Sequence, residues 1–159
     1  MASGSYERMI RLAEENFHPS ENPSEVVVTD ALMARLRRMH PSTVSEKCDE
    51  SGPIAWVLLL PTTEELIARF LDKRLSERQL FEETREGGVY DVLYLSSALV
   101  LPEYRRKGIA RRMIVDAVTS VCRDQPIAKL ACWPFSVEGR LLAESVAKDC
   151  ELPLLQRPR

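Results

Sequence analysis

The sequence predicts an α/β or α+β fold in which helices flank a sheet. An apolar run rich in strand-forming residues, Val92 to Val100, leads through a turn containing Gly108 into a segment with helical spacing of apolar residues. Strand-like and helix-like patterns alternate on both sides of this unit. Because 159 residues suffice to bury one core, we expect a single domain spanning residues 1–159.

The N-terminal part predicts a helix, a short strand and a second helix. Ser5 to Asn16 has an amphipathic pattern, with Tyr6, Met9, Ile10 and Ala13 expected to face inward. A proline-containing loop leads to Val26 to Val28, which favours a strand. Ala31 to Met39 predicts a helix that ends before Pro41 and is capped by Thr29 or Asp30.

The next segment predicts a hairpin followed by a helical insertion. Thr43 to Asp49 and Ile54 to Leu60 have strand character, and a turn containing Gly52 and Pro53 separates them. Thr63 to Arg85 has a helical pattern, with Ser76 as the expected start of a second helix.

The C-terminal part predicts two further strands and two helices. The helix after Gly108 is followed by a strand within Pro126 to Phe135 and a helix over Ser136 to Lys148. The expected inner face of that last helix consists of Val137, Leu141, Leu142 and Val146. A short strand is predicted at Leu152 to Leu155.

The turn between the central strand and its helix has the chemistry of an anion site. It carries Arg105, Arg106 and Lys107, and Gly108 lets a ligand approach the backbone. The first N–H groups of a helix have no intrahelical partner and carry partial positive charge, so a phosphate-bearing ligand is the expected occupant. The turn lacks the Walker pattern, because Lys107 precedes Gly108 and no Ser or Thr follows, and it lacks the glycine triplet of dinucleotide-binding folds.

Composition argues against several other classes of protein. A net charge of −2 disfavours bulk nucleic-acid binding. The four cysteines form no C-x-x-C pair and the two histidines, His18 and His40, are far apart, so no metal site is expected. No apolar run approaches the roughly 18 residues of a membrane span, and no secretory pattern is present, so we expect a cytoplasmic protein without membrane association.

The pattern Val100-x-Pro102-x-x-Arg105-x-x-Gly108-x-Ala110 resembles the coenzyme A turn of the GNAT N-acetyltransferase superfamily. The resemblance implies a mixed, mostly antiparallel sheet flanked by helices, to which this chain adds its N-terminal helix and the helical insertion. It also implies acetyl-CoA as co-substrate. The residues it assigns to coenzyme binding are Ala98, Leu99, Val100, Arg105, Arg106, Lys107, Gly108, Ile109, Ala110, Arg111 and Ser136.

The same resemblance suggests catalytic candidates. Tyr94 falls where some lysine acetyltransferases of the family place a glutamate base. The tyrosine that often reprotonates the departing thiolate corresponds here to Ala143, so Ser136 and Ser145 are the replacement candidates. A backbone N–H on a bulged strand near Leu99 or Val100 is expected to polarise the thioester carbonyl.

The sequence thus predicts an N-acetyltransferase whose acceptor is an amine of a small molecule or a peptide. The alternative is an inactive coenzyme A binding or regulatory domain, which Ala143 and the short C-terminal part favour. A small nucleotide-binding module requires only the cationic turn. Chain order places the insertion Thr63 to Arg85 on the acceptor side, as a wall, a lid or extra packing. The sequence leaves open whether the protein is a monomer or a homodimer.

Overall fold

A computed structural model describes residues 3–16 and 29–158, without the side chains of residues 3–6 and 14–16, and its centre is one five-stranded sheet. The strands lie side by side in chain order. They are β1 (Val44–Asp49), β2 (Gly52–Thr62), β3 (Val92–Val100), β4 (Lys129–Cys132) and β5 (Leu154–Gln156). All five overlap segments that the sequence predicts as strands. The predicted strand at Val26 to Val28 lies outside the described residues.

The sheet is mixed, because it changes from antiparallel to parallel at its centre. β1, β2 and β3 pair antiparallel, whereas β3, β4 and β5 pair parallel. The two antiparallel pairs hold 14 of the 21 paired positions, so the sheet is mostly antiparallel as expected, and the other two of the four neighbouring pairs are parallel. The parallel pairs arise because a long helix follows each of β3 and β4, and such a crossover lets the next strand run in the same direction.

Helices cover both faces of the sheet. They are α1 (Ser3–Asn16), α2 (Asp30–Met39), α3 (Glu64–Leu71), α4 (Glu77–Glu83), α5 (Ile109–Asp124) and α6 (Val137–Cys150). One face packs with α2, α3 and α4 in a core that includes Leu60, Phe70 and Tyr94. The other face packs with α5 and α6 around Leu93 and Val118. α1 packs against β2 at a smaller cluster.

Side-chain caps explain where several helices begin. Thr29 accepts from the Leu32 N–H at the start of α2, as predicted. Thr63 caps α3, and Ser76 starts α4 with a reciprocal capping box that includes Gln79. The prediction that Ser76 divides the insertion into two helices is confirmed.

The predicted inner faces of two helices are partly wrong. On α6, Val137 and Leu141 are 59% and 53% exposed, whereas Ala143, Val146 and Ala147 are buried. Small alanine side chains at the contact let α6 approach its neighbours closely. The buried positions of α6 are therefore those with small side chains rather than those with the most hydrophobic ones. On α1, Met9 is buried as predicted, but Ile10 is 37% exposed. Ala13 is half-buried, and the side chain of Tyr6 lies outside the described residues.

Two valines on α6 provide a matched test of this packing. Val146→Ala should destabilise the protein by about 1.5–3 kcal/mol, because the fully buried side chain loses two methyl groups and leaves a cavity. Val137→Ala should change the free energy of unfolding by less than about 0.5 kcal/mol, because that side chain is mostly exposed. Urea denaturation of both variants measures the difference, and equal losses would contradict the observed orientation of α6.

Candidate functional site

The candidate site lies where β3 and β4 separate. Their parallel pairing extends from Val92 opposite Lys129 to Leu95 opposite Cys132. β3 then continues to Val100, whereas β4 ends. Ser96 is an extra residue between two paired positions, because Leu58 faces Ser97 and Leu59 faces Leu95. This bulge increases the local twist of β3 and leaves its last residues without a partner on the β4 side.

The unpaired edge of β3 presents backbone groups to the gap. The Leu101 N–H donates to Ile54 O at 2.9 Å, which directs this backbone group toward β2. Since successive residues of an antiparallel strand alternate, the backbone groups of Val100 and Ala98 are directed toward the gap. β3 is bulged as predicted, at Ser96. Of the two positions at which a free N–H is expected, Val100 faces the gap and Leu99 faces β2.

The turn after β3 directs the start of α5 to the same gap. Gly108 is the N-cap residue of α5 with a φ of 76°, and Arg106 also has a left-handed φ of 63°. The first helical hydrogen bond is from Arg112 N to Gly108 O, and no side chain caps the helix. The N–H groups of residues 109–111 therefore have no intrahelical acceptor and are available to an anion.

Between β3, the start of α5 and the start of α6 lies a cavity of about 700 Å³, here called the main cavity. Of the positions that the resemblance assigns to coenzyme binding, all except Lys107 line it. The Lys107 ammonium lies 5.7 Å from the centre of the Tyr104 ring instead. The lining residues are Ala98, Leu99, Val100, Arg105, Arg106, Gly108, Ile109, Ala110, Arg111, Ser136, Glu138, Gly139 and Leu142.

Sequence reasoning missed Glu138, Gly139 and Leu142, which come from the first turns of α6. A usable signal existed. The segments after β3 and β4 both predict helices, and helices that follow adjacent parallel strands begin at the same edge of a sheet. This rule would have placed the first turn of α6 beside the first turn of α5.

The arginines of the main cavity differ in their partners. Arg111 donates to both oxygens of Asp149 at 2.7 and 2.8 Å, and these bonds lower the pKa of the Asp149 carboxyl. Arg105 donates from Nε to Val100 O at 3.0 Å, which holds the turn against the end of β3. Arg106 forms no hydrogen bond or ion pair with any described residue, so its guanidinium is the one most available to a ligand.

The three positions connected with thiolate protonation lie in different surroundings. Ser136 lines the main cavity and is the N-cap residue of α6, where its Oγ accepts from Gly139 N at 3.0 Å. Its own O–H proton remains available to donate. Ser145 is half-buried and does not line the main cavity. Ala143 is buried within the helical layer, where a tyrosine side chain has no space without repacking.

The structure places Tyr94 in the core, on the face of β3 that packs against α3 and α4. Its hydroxyl donates to Glu77 Oε2 at 2.6 Å, and the Phe70 ring meets it edge-on. Burial and the neighbouring Glu77 carboxylate raise the pKa of Tyr94 well above its ordinary value. The sequence-based candidate base is therefore not among the residues brought together at the main cavity.

The insertion predicted to border the acceptor side packs on the same face as Tyr94. No residue of α3 or α4 lines the main cavity.

In the part of the chain that the structure describes, no cluster of His, Cys, Asp and Glu could hold a metal ion, and no helix is long and apolar enough to cross a membrane. Comparison of the chain with models of known protein families, curated proteins and solved structures gave no match.

Removing the Tyr94 hydroxyl distinguishes a structural role from a catalytic one. Tyr94→Phe should destabilise the protein by about 1–3 kcal/mol, because the buried Glu77 carboxylate loses a hydrogen-bond donor. Affinity for coenzyme A should be unchanged. Tyr90→Phe is a matched control, since it removes another buried hydroxyl, which donates to Arg85 O. A large loss of turnover at unchanged stability would instead identify Tyr94 as the base.

Proposed function

We propose that this protein is an N-acetyltransferase that transfers an acetyl group from acetyl-CoA to an amine. The observation that carries this proposal is the combination of an uncapped helix start and an unpaired strand edge on one cavity. The turn with the sequence resemblance lies between them. The fold itself is an α/β arrangement with a mixed sheet, which is compatible with this function but is not specific to it.

The residues of the main cavity suit the chemical groups of coenzyme A. The N–H groups at the start of α5, together with Arg106, would hold the pyrophosphate. The backbone of Ala98 and Val100 would pair with the amides of the pantetheine arm, as an added strand does at an open sheet edge. A volume of about 700 Å³ is within the range of small-molecule sites.

Bound acetyl-CoA supplies a thioester whose carbonyl carbon is attacked by the neutral acceptor amine. An alkyl amine with a pKa near 10.4 is only about one part in a thousand neutral at pH 7.4. Removing its proton at that pH therefore costs ~4 kcal/mol of free energy. Glu138 carries the only carboxylate among the described residues that line the main cavity, so it is our candidate for accepting the amine's proton. A backbone N–H of β3 would stabilise the negative charge that develops on the carbonyl oxygen.

The thiolate that leaves requires a proton donor or water. Ser136 carries the only hydroxyl among the described residues lining the main cavity. This limited supply of donors favours a second candidate function, in which the domain binds coenzyme A without transferring the acetyl group. Turnover with a panel of amines distinguishes the two functions. A preference for ATP over coenzyme A would instead favour the nucleotide-binding module.

Gly108 offers the most direct test of coenzyme binding. Gly108→Glu should weaken acetyl-CoA binding more than tenfold, because it places a carboxylate where the pyrophosphate is expected and strains a left-handed residue. Isothermal titration calorimetry measures the affinity. Gly87→Glu is the matched control, because Gly87 has a similar φ of 71° and nothing within 4 Å of an added Cβ. Equal affinities of the two variants would remove the coenzyme site from this turn.

Glu138 offers a separate test of catalysis. Glu138→Gln should lower kcat/KM at pH 7.4 by at least tenfold and weaken the pH dependence of the rate, because the variant lacks a proton acceptor. Coenzyme affinity should not fall, since the change removes a negative charge from an anion site. Glu65→Gln, on the exposed side of α3, is the control. An unchanged rate profile would show that water or another group accepts the proton.

A further inference from the structure

A second cavity, of about 340 Å³, lies beside Ser136. Ser136 lines both cavities, so they are adjacent at the start of α6. The second cavity is formed by the chain leaving β4, the first turn of α6 and the chain leaving β5. Its charged lining residues among those described are Arg140 and Arg157, and none of these lining residues carries a carboxylate. Arg140 Nη1 also donates to Glu144 Oε1 at 3.5 Å, outside the lining.

Arg157 is unusual because it is buried and incompletely hydrogen-bonded. Only 8% of the residue is exposed. Its guanidinium carbon lies 4.5 Å from the centre of the Phe70 ring and 4.3 Å from that of Trp133, so both rings cover it. Within the described part of the chain, Nε and Nη1 have no hydrogen-bond partner. Trp133 Nε1, which belongs to one of the covering rings, is also buried and unpartnered.

Buried donors without acceptors are costly, so these N–H groups favour an oxygen supplied from outside the described residues. Arg157 lines the second cavity, whereas Trp133 is not among its lining residues. Glu77 is close enough to act on Arg157 electrostatically, but it does not accept from Nε or Nη1. The start of α6, where Ser136 Oγ already accepts from Gly139 N, adds partial positive charge beside the second cavity. A ligand with a negatively charged oxygen satisfies both the charge and the donors.

We propose that the second cavity binds the carboxylate of the acceptor, so that the acceptor is an amine that also carries a carboxylate group. The acceptor role depends on the proposed acetyltransferase function. Carboxylate binding itself does not, because it follows from the buried, unpartnered Nε and Nη1 of Arg157 and from the positive charge of the lining. Because Ser136 lines both cavities, an amine attached to this carboxylate would lie next to the main cavity.

Matched pairs of ligands test the carboxylate. Glycine, β-alanine and γ-aminobutyrate are each compared with their carboxamides, which retain the amine and lose the negative charge. Binding is followed by the indole N–H resonances of the two tryptophans in ¹⁵N-labelled full-length protein with coenzyme A present. The Trp133 resonance should shift and saturate with at least one acid but not with its amide. The Trp56 resonance should stay in place, because its indole donates to Glu46 at 2.7 Å elsewhere.

Substitutions connect that response to the arginines. Arg157→Met should weaken binding of the acid at least tenfold, and Arg140→Gln should weaken it two- to fivefold, because Arg140 is exposed. Arg123→Gln, at the exposed end of α5, should have no effect. If Arg157→Met fails to fold, Arg140→Gln becomes the test of the proposal. An unchanged affinity of that variant for the acid would overturn the proposal.

Other outcomes also separate the alternatives. Equal responses to acids and amides, or no response to any member of the panel, would mean that water alone satisfies Arg157. Inorganic phosphate binding as tightly as the best acid would replace the carboxylate with a general anion. If coenzyme A binds and amines are acetylated without preference for the acids, the subsite fails and the proposed function stands. If the acids bind but coenzyme A does not, the acetyltransferase function fails and the carboxylate site stands.

Discussion

The separation of β3 from β4 determines everything else at the site. Parallel pairing holds these strands together only up to Leu95 and Cys132. Beyond that point the Ser96 bulge twists β3, and the chain after β4 leaves the sheet toward α6. The free backbone groups of an unpaired strand edge can pair with a further extended chain. The gap is therefore a place that favours a ligand with amide groups, such as the pantetheine arm of coenzyme A.

Two consecutive strand–helix–strand units add charge to this gap. α5 follows β3 and α6 follows β4, so both helices begin at the same edge of the sheet. Gly108 and Ser136 cap them in different ways. The left-handed Gly108 leaves the N–H groups at the start of α5 free, whereas Ser136 Oγ accepts from Gly139 N in α6. Under the proposed function, the start of α5 would bind an anion through its backbone, whereas the second cavity would rely mainly on arginine side chains.

The sequence predicted most elements because caps, turns and periodicity are local signals. Ser76 and Gly108 were identifiable because each changes the local backbone preference. The inner face of α6 was not identifiable, since Ala143 and Ala147 carry little hydrophobic signal while the exposed Val137 and Leu141 carry more. The positively charged turn at Arg105 to Lys107 could be predicted from local sequence. The burial of Tyr94 could not, because tertiary contacts determine which face of β3 packs against the insertion.

The insertion explains how a buried arginine is tolerated next to the second cavity. α3 contributes the Phe70 ring that covers Arg157, and α4 contributes Glu77, whose carboxylate is buried and accepts from Tyr94. Burial lowers the pKa of Arg157, and the neighbouring Tyr94 and Glu77 oppose that effect. An arginine keeps its charge under such conditions, so it needs this acidic neighbour on one side and acceptors for Nε and Nη1 on another. The insertion does not line the second cavity. Its residues Phe70 and Glu77 instead hold Arg157 in the position where, as proposed, an acidic ligand would complete its hydrogen bonds.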